Sequence, residues 1–290
     1  MNAPMSTPTA SARRLFAQEV ARSEVDLDLA RASLLAAKEE YSQLPEELYL
    51  ARLDQMAEEV KDRLADETAP LVVLEELLEM LFVRRRFRGN REAYYDPRNS
   101  FLNDVLDRGL GIPLTLGIVL LEVGWRLGLP MEGVNFPGHF LVRFKGNAVD
   151  LLIDPFDEGK VRFEDQAQEL LDQVYGGVVR VQEGFLKRAS KRDMLTRLLA
   201  NLKGIYVKVG DHARALAVVE RILLITPTSR GENRSRGLLL ARMGRESEAV
   251  EQLEAYLKLV PDAPDAERIR TVVADLRAGR GLSQDSREEL

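Results

Sequence analysis

Residues 135–159 read "NFPGHFLVRFKGNAVDLLIDPFDEG", and this stretch decides the fold in the middle of the chain. Phe140, Val142 and Phe144 alternate with their neighbours, and a period of two indicates a β-strand. The pair Gly146–Asn147 is one of the two-residue combinations that favour a tight turn between strands. We therefore predict an antiparallel β-hairpin that turns at this pair.

The length of the turn determines which residues face each other. A turn of two residues places Arg143 opposite Asp150. Further along the ladder, His139 lies opposite Asp154 on the same face, because side chains alternate with a period of two. Directly opposed Cβ atoms are roughly 5 Å apart, so this histidine and this aspartate should touch. Such a pair can serve as the base and orienting acid of a hydrolase, or it can be a structural polar contact at the end of a sheet.

The rest of the chain is predicted to be helical. Residues 12–86 show helical spacing of apolar residues, which indicates three or four helices before any strand. Residues 111–129, "GIPLTLGIVLLEVGWRLGL", are apolar nearly all round and predict a buried helix. Pro113 suits the first turn of that helix, and Gly128 suits the position just after its end.

An internal repeat follows Arg188. Its period is 34 residues, and this period in a helical region is typical of tetratricopeptide repeats. Two copies are fewer than an independent array needs, so we expect an additional capping helix near residues 265–279. The residues that recur are Gly210 and Gly244, Ala215 and Ala249, Leu223 and Leu257, and Pro227 and Pro261. His212 follows Asp211 and is interpreted as a solvated residue in the first turn of a repeat helix.

Composition narrows the possible functions. The 290 residues include no cysteine, which excludes disulfides, thiolate metal sites and a cysteine nucleophile. The net charge of −6 gives no general attraction to nucleic acid or to an anionic membrane. The longest apolar stretch, Leu114–Leu121, is too short to span a bilayer, and the first residues lack the apolar core of a signal peptide. We therefore expect a cytoplasmic protein.

Six arginines lie between Arg84 and Arg98. This cluster could bind nucleic acid or another polyanion. It could also be the cationic end of a helix running into a polar loop, an arrangement that the helix dipole favours. Because the chain as a whole is acidic, the second interpretation is preferred.

Residues 94–144, followed by "IDPFDEG" and the paired repeats, resemble the bacterial SirB family. The resemblance covers roughly residues 40–280. It implies a transglutaminase-like core, similar in fold to papain-like proteases, and a C-terminal tetratricopeptide region. We expect an α+β protein in which N-terminal helices and a transglutaminase-like core with a small antiparallel sheet precede an all-α repeat region. The predicted segments are a disordered N-terminus (1–10), the helical lead-in and core (11–188), the repeat pair with its capping helix (189–280) and a tail (281–290).

The resemblance also assigns roles to residues. His139 and Asp154 match the base and the orienting acid of the family, and the cysteine nucleophile is expected just after Gly111, at about Pro113. Proline offers no nucleophilic atom. The nearest hydroxyl belongs to Thr115, which lies about 200° round the helix from Pro113.

A cleft with a histidine and an aspartate can still bind a peptide-like ligand, and Asn135 and Asn99 are further candidates for binding residues. Asp157 and Glu158 lie close to Asp154 in the sequence, but they match no recognised metal-binding spacing. We predict neither a metal nor a cofactor.

Three functions are consistent with these features. The first is a non-catalytic interaction or regulatory protein that binds a protein or peptide through its cleft and its repeats. The second is an atypical hydrolase or amidase that uses His139 and Asp154 with Thr115 or a water molecule. The third is polyanion binding through Arg84–Arg98, for which the acidic chain makes nucleic acid a less favoured partner.

Overall fold

The computed structural model describes residues 8–65, 67–146 and 150–280. The chain divides into two compact units, Met1–Leu198 and Leu199–Leu290. The division falls inside a helix that runs from Lys191 to Lys208. None of the helices within the described ranges is long and apolar enough to cross a membrane.

Helices make up most of the first unit. The central one is buried on nearly all sides, as predicted, and it begins at Pro113. Gly128 follows its end with a positive φ of 73°. The helices that lie in or begin in this unit are α1 (Pro8–Val20), α2 (Leu29–Ala37), α3 (Glu46–Leu64), α4 (Pro70–Leu78), α5 (Leu102–Arg108), α6 (Pro113–Arg126), α7 (Ala167–Tyr175) and α8 (Lys191–Lys208). A π-helical turn, Glu79–Arg84, extends α4.

The first unit also contains a five-stranded antiparallel sheet with strand order β6-β5-β4-β3-β7. A separate pair of short parallel strands, β1 and β2, joins the residues after α4 to those before α6. The strands are β1 (Arg88–Gly89), β2 (Leu110–Gly111), β3 (Met131–Val134), β4 (Leu141–Lys145), β5 (Asp150–Asp154), β6 (Lys160–Arg162) and β7 (Arg188–Ala189).

The predicted hairpin exists as β4 and β5, but its predicted register is wrong. Lys145 pairs with Asp150, and Arg143 pairs with Leu152 rather than with Asp150. Four residues therefore separate the strands instead of two, and Asn147 of the predicted turn lies outside the described residues. The register is shifted by two positions, which is one full period of a strand, so each side chain keeps its predicted face.

The two faces of the sheet pack against different helices. Helix α6 contacts β3 and β4. A second apolar cluster forms around α7, where Leu170 and Leu171 pack with residues of three strands. The buried strand and connecting residues of that cluster are Val134, Phe136, Leu141 and Leu152. The site described below lies between the start of α6 and the residues of α7.

The second unit consists of successive packed helices, which confirms the predicted all-α repeat region. Ala215 and Ala249, which share one repeat position, are both fully buried. The helices after α8 are α9 (His212–Ile225), α10 (Arg230–Arg242), α11 (Glu246–Leu259) and α12 (Ala266–Arg277), and each packs on the next. Asp211 caps α9 by accepting a hydrogen bond from the Arg214 backbone N–H, and His212 is the first helical residue, as predicted.

The ends of the predicted segments differ in detail from the structure. Helix α1 starts at Pro8, inside the segment predicted to be disordered, while residues 1–7 and the predicted tail at 281–290 lie outside the described residues. The predicted junction at residues 188 and 189 is strand β7. It pairs with β3 and therefore belongs to the sheet of the first unit.

Candidate functional site

A tight turn positions His139 before β4. The His139 backbone N–H donates to the Phe136 carbonyl oxygen (3.0 Å), which closes a turn with Pro137 and Gly138 at its centre. Gly138 has φ +67°, and proline followed by a glycine with positive φ is typical of a type II turn. A side chain at position 138 is excluded, because its Cβ would lie 2.5 Å from Val174 on α7. The sequence "FPGH" thus directs the imidazole toward α7.

Asp154 is the last residue of β5 and is only 2% exposed. Its Oδ1 accepts three hydrogen bonds, from His139 Nε2 (2.8 Å) and from the backbone N–H groups of Phe156 (3.0 Å) and Asp157 (3.2 Å). Burial acts to raise the pKa of Asp154, but the hydrogen bonds and the neighbouring imidazole outweigh it and hold that pKa below its ordinary value. The side chain is therefore a carboxylate at neutral pH.

The predicted contact between His139 and Asp154 is confirmed, although the two residues are not paired in the ladder. A carboxylate can only accept a hydrogen bond, so Nε2 of the neutral imidazole carries the proton. No residue of the described ranges forms a hydrogen bond with Nδ1, which leaves that nitrogen as the basic atom. This is the arrangement of a histidine oriented by an acid.

A cavity of about 480 Å³ opens beside this pair. Its walls combine charged, aromatic and aliphatic side chains from the turn, the start of α6, the end of β5 and α7. The residues that line it are Arg91, Tyr94, Pro113, Gly138, His139, Asp154, Phe156, Asp157, Arg162, Leu170, Gln173 and Val174.

Aromatic rings form one wall of the cavity. The His139 ring meets Phe156 edge to face, with 6.0 Å between ring centroids, and Phe156 meets Tyr94 in the same way at 5.9 Å. The Arg91 guanidinium lies 4.9 Å from the centroid of the Phe156 ring. Glycine is required at position 89, because a Cβ there would lie 2.4 Å from this ring. The Phe156 ring therefore packs against the imidazole, in addition to the hydrogen bond from Nε2 to Asp154.

Pro113 and Thr115 have different surroundings. Pro113, at the position where the SirB resemblance places the cysteine, lines the same cavity as His139 and Asp154. Thr115 is fully buried. Its hydroxyl donates to the Asn99 carbonyl oxygen (2.7 Å) and accepts from the Ile112 backbone N–H (3.1 Å). The hydroxyl therefore helps to cap the N-terminus of α6, and both its proton and its oxygen take part in hydrogen bonds within the protein.

The two asparagines suggested for binding are engaged within the protein. The Asn99 side chain donates to the Ala93 carbonyl oxygen (2.7 Å) and accepts from Asn90 Nδ2 (3.0 Å). Asn135 accepts a hydrogen bond from Arg197 (3.3 Å) on α8. Asn99 thus holds a loop of the backbone in place, and Asn135 binds the Arg197 guanidinium. Neither side chain lines the cavity.

The arginine cluster is largely neutralised. Ion pairs join Arg84 to Glu76 (2.5 Å), Arg85 to Glu59 (2.6 Å), Arg98 to Asp96 (2.7 Å) and Arg91 to Asp157 (3.1 Å). The first two arginines lie at the end of the π-helical turn, in agreement with the interpretation as a cationic helix end.

The acidic residues after Asp154 do not gather round a common point. Asp157 pairs with Arg91, and Glu158 adopts a positive φ of 53° in the following turn. Within the described ranges, no group of three or more histidine, aspartate or glutamate side chains is arranged to hold a metal ion.

Sequence reasoning missed several residues of the cavity wall, notably Arg162 and the α7 residues Gln173 and Val174. Tyr94 and Phe156 stand in the motifs "YYDP" and "DPF", which could have suggested them. The α7 residues carry no comparable signal, because a short amphipathic helix predicts burial of one face without indicating what that face covers.

Comparison with known proteins defines the class of each region. A family model described as the transglutaminase-like superfamily matches residues 47–200, and a tetratricopeptide repeat model matches residues 202–274. The protein is therefore a transglutaminase-like domain followed by tetratricopeptide repeats. No solved structure matches the chain.

Similar proteins identify the family. The chain is 34% identical over 253 residues to the UPF0162 protein of Xylella fastidiosa strain 9a5c, an alignment that covers 86% of this chain and 90% of that protein. It is 30% identical over 242 residues to the UPF0162 protein of Vibrio cholerae, which covers 83% and 86%. Human F-box only protein 21 is 31% identical over 150 residues, which is 48% of this chain and 22% of that protein. The chain belongs to the UPF0162 family.

Proposed function

We propose that this protein is a non-catalytic, protein-binding member of the SirB family that acts in the cytoplasm. Its transglutaminase-like domain binds a segment of a partner protein in the cavity beside His139 and forms no covalent intermediate. One observation carries this proposal. Pro113, which has no nucleophilic atom, lines the cavity that also contains His139 and Asp154.

The chemistry of the cavity supports binding without acyl transfer. A thiol is absent because the chain has no cysteine. Thr115, the nearest hydroxyl in the sequence, is committed to two backbone hydrogen bonds and is fully buried. A nucleophilic hydroxyl needs its own contact with a general base, and these hydrogen bonds use the hydroxyl elsewhere.

The shape and lining of the cavity suit a peptide. Its volume of about 480 Å³ lies in the range of small-ligand pockets. Apolar walls from Phe156, Leu170 and Val174 alternate with charged groups that can fix the orientation of a bound segment. Tetratricopeptide repeats generally form extended surfaces for other proteins, and we propose that the repeats bind a further part of the same partner.

Peptide selection on the full chain tests this function. Random peptides displayed on phage are selected against the purified protein, and the enriched peptides are then measured with two variants. Val174→Trp narrows the cavity, because Val174 lines it and is 43% exposed. Val178→Trp is the matched control, because Val178 is 84% exposed and lies outside the lining. We expect the first variant to weaken binding at least about tenfold and the second to leave it unchanged.

Two results contradict the proposal. One is that no peptide is enriched, and the other is that every enriched peptide binds Val174→Trp as well as the unmodified protein. In either case the cavity does not serve as a peptide site.

The intact pair of His139 and Asp154 favours a second candidate, which is hydrolysis by a water molecule that His139 activates. The basic Nδ1 and the anionic carboxylate at 2.8 Å from Nε2 are the groups that such a general base requires. A screen of peptide, ester and isopeptide substrates tests this function. Turnover that disappears in His139→Ala, in a variant that unfolds like the unmodified protein, establishes it and overturns the non-catalytic proposal.

Polyanion binding through Arg84–Arg98 is the least supported function, because four of these arginines already pair with carboxylates. Binding of the full chain to single-stranded and double-stranded DNA and RNA at low salt, with a steep decrease as salt is added, would support it.

A further inference from the structure

Arg162 is the least satisfied charged side chain of the cavity wall. It is the last residue of β6, it lines the cavity, and it is only 6% exposed. Its Nε is buried without a hydrogen-bond partner. Among the described residues the guanidinium forms no hydrogen bond at all, and its one ion pair joins Nη2 to Asp157 Oδ2 at 3.6 Å, which is longer than a hydrogen bond.

A comparison within the sheet shows which part of this is particular to Arg162: the Nε of Arg143 is also buried without a partner, but the Nη groups of Arg143 are paired. Arg143, Leu152 and Arg162 form one row across β4, β5 and β6. Arg143 donates to Glu132 (3.1 Å) and to Glu164 (2.8 Å), so one arginine of the row has two carboxylate partners. Arg162 has no such hydrogen bonds, and its buried Nε carries the cost of an unpaired donor.

The carboxylates near Arg162 are already shared. Asp157 lies 3.1 Å from Arg91 and 3.9 Å from Lys160, in addition to its contact with Arg162. Asp154 is occupied by His139 and by two backbone N–H groups. The cavity lining holds two arginines, Arg91 and Arg162, and among the described residues Arg162 is the one of the two that donates no hydrogen bond.

We propose that Arg162 binds the carboxylate of an aspartate or glutamate side chain in the partner segment that enters the cavity. This inference rests on the proposed function, which it makes more specific by naming an acidic peptide as the ligand. A guanidinium binds a carboxylate through two parallel hydrogen bonds, and Arg162 has its donors free to do so. Asp154 and Asp157 in the same cavity repel a doubly charged phosphate more strongly than a singly charged carboxylate. An unphosphorylated acidic residue is therefore the better match.

The test uses the peptides enriched on the full chain in the selection described above. Each peptide that Val174→Trp weakens is synthesised in three forms, with its acidic residues unchanged, replaced by the corresponding amides, or replaced by phosphoserine. Affinities are measured for the unmodified protein, for Arg162→Met and for Arg88→Gln. The last is a control for net charge, because Arg88 is exposed and lies outside this cavity.

We expect the amide form of one acidic residue to bind the unmodified protein and Arg88→Gln at least about tenfold more weakly than the acidic form. The same replacement should change binding to Arg162→Met by less than about twofold, since the two partners of one interaction are not additive. The phosphoserine form should bind the unmodified protein more weakly than the acidic form.

A stability measurement distinguishes a binding residue from a structural one. Met has a similar length and needs no hydrogen bonds, so Arg162→Met should leave the melting temperature unchanged or raise it. A clear decrease in melting temperature would show that Arg162 serves the fold and would overturn the inference.

The outcomes also separate this inference from the function on which it rests. If peptides bind the cavity but the amide forms bind equally well, Arg162 is not the carboxylate site while the peptide-binding function stands. If the phosphoserine form binds best, the ligand class is wrong. If no peptide depends on the cavity, the proposed function itself fails.

Discussion

The two sides of the cavity are built differently. On the sheet side, Asp154 accepts three hydrogen bonds and orients His139, with the Phe156 ring packed behind the imidazole. On the helix side, α6 begins with Pro113, which offers no hydrogen bond and no nucleophile. One side is complete as a general base, and the other has no group for that base to activate.

The sheet side therefore keeps a complete set of hydrogen bonds although Pro113 offers no nucleophilic atom. The paired His139 and Asp154 border a cavity that also contains Arg91, Arg162 and Gln173. We interpret the sheet side as a binding surface that uses the geometry of a catalytic one.

The largest expected effect on stability comes from replacing Asp154, which accepts the hydrogen bonds on the sheet side of the cavity. Asp154→Ala leaves three donors without an acceptor, and it should lower the free energy of unfolding by about 3 to 5 kcal/mol. Urea denaturation followed by circular dichroism measures this change. Glu58→Ala is the control, because its ion pair with Lys61 is exposed and should contribute less than about 1 kcal/mol. Equal losses in both variants would mean that the hydrogen bonds of Asp154 do not stabilise the sheet side as described.

Removing the Thr115 hydroxyl should have an intermediate effect. Thr115→Val keeps the shape but breaks the hydrogen bonds to Asn99 and Ile112, so we expect a loss of about 2 kcal/mol. Thr115→Ser keeps the hydroxyl and should lose less stability. Thr271→Val is the control, because it makes the same replacement at an exposed threonine on α12. Peptide binding to the cavity should be unchanged in Thr115→Val. If the variant keeps full stability but loses binding or turnover, the hydroxyl has a functional role instead.

The smallest expected effect is a dependence of the stability on pH in the acidic range. The pKa of Asp154 in the folded protein lies below its ordinary value of 3.8, so folding favours the carboxylate. Its contribution to stability is complete above about pH 5 and is lost as the pH falls through the folded pKa. The stability difference between the unmodified protein and Asp154→Asn should therefore shrink as the pH falls below about 3.8. A difference that stays constant down to pH 2.5 would contradict the assignment.

The helices and repeats were predictable because their signals are local. An apolar run bounded by Pro113 and Gly128 contains the whole of α6 (Pro113–Arg126), and the 34-residue period places Gly210 and Gly244 at successive turns, where both adopt positive φ. Such patterns depend on neighbouring residues and not on distant contacts.

The contact between His139 and Asp154 was predicted from a register that is wrong. Lys145 pairs with Asp150, so the connection between the strands is two residues longer than the turn signal suggested. The prediction survived because a shift of two residues preserves the face of every side chain, and because the turn before β4 brings His139 back over the end of β5.

Arg162 illustrates what local sequence does not contain. The absence of hydrogen bonds to this guanidinium in the described residues depends on where Asp157, Arg91 and α7 lie in three dimensions. Its neighbour in the same row, Arg143, is equally basic, and both of its Nη groups donate to carboxylates, although its Nε is also buried without a partner. The distinction between them is tertiary.

Thiol reactivity tests the central claim, which is that Pro113 occupies a nucleophile position facing His139. Because the chain has no cysteine, Pro113→Cys introduces a single thiol, and its alkylation by iodoacetamide can be followed against pH. An ordinary thiol has a pKa of about 8.5, which a helix N-terminus and a neighbouring imidazolium both lower. Val178→Cys provides an exposed thiol as the control.

The account predicts that the midpoint for Pro113→Cys lies at least about one pH unit below that of Val178→Cys, and that adding His139→Gln moves it back toward the control. The same midpoint with and without His139 would contradict the claim, because position 113 would then not face the histidine.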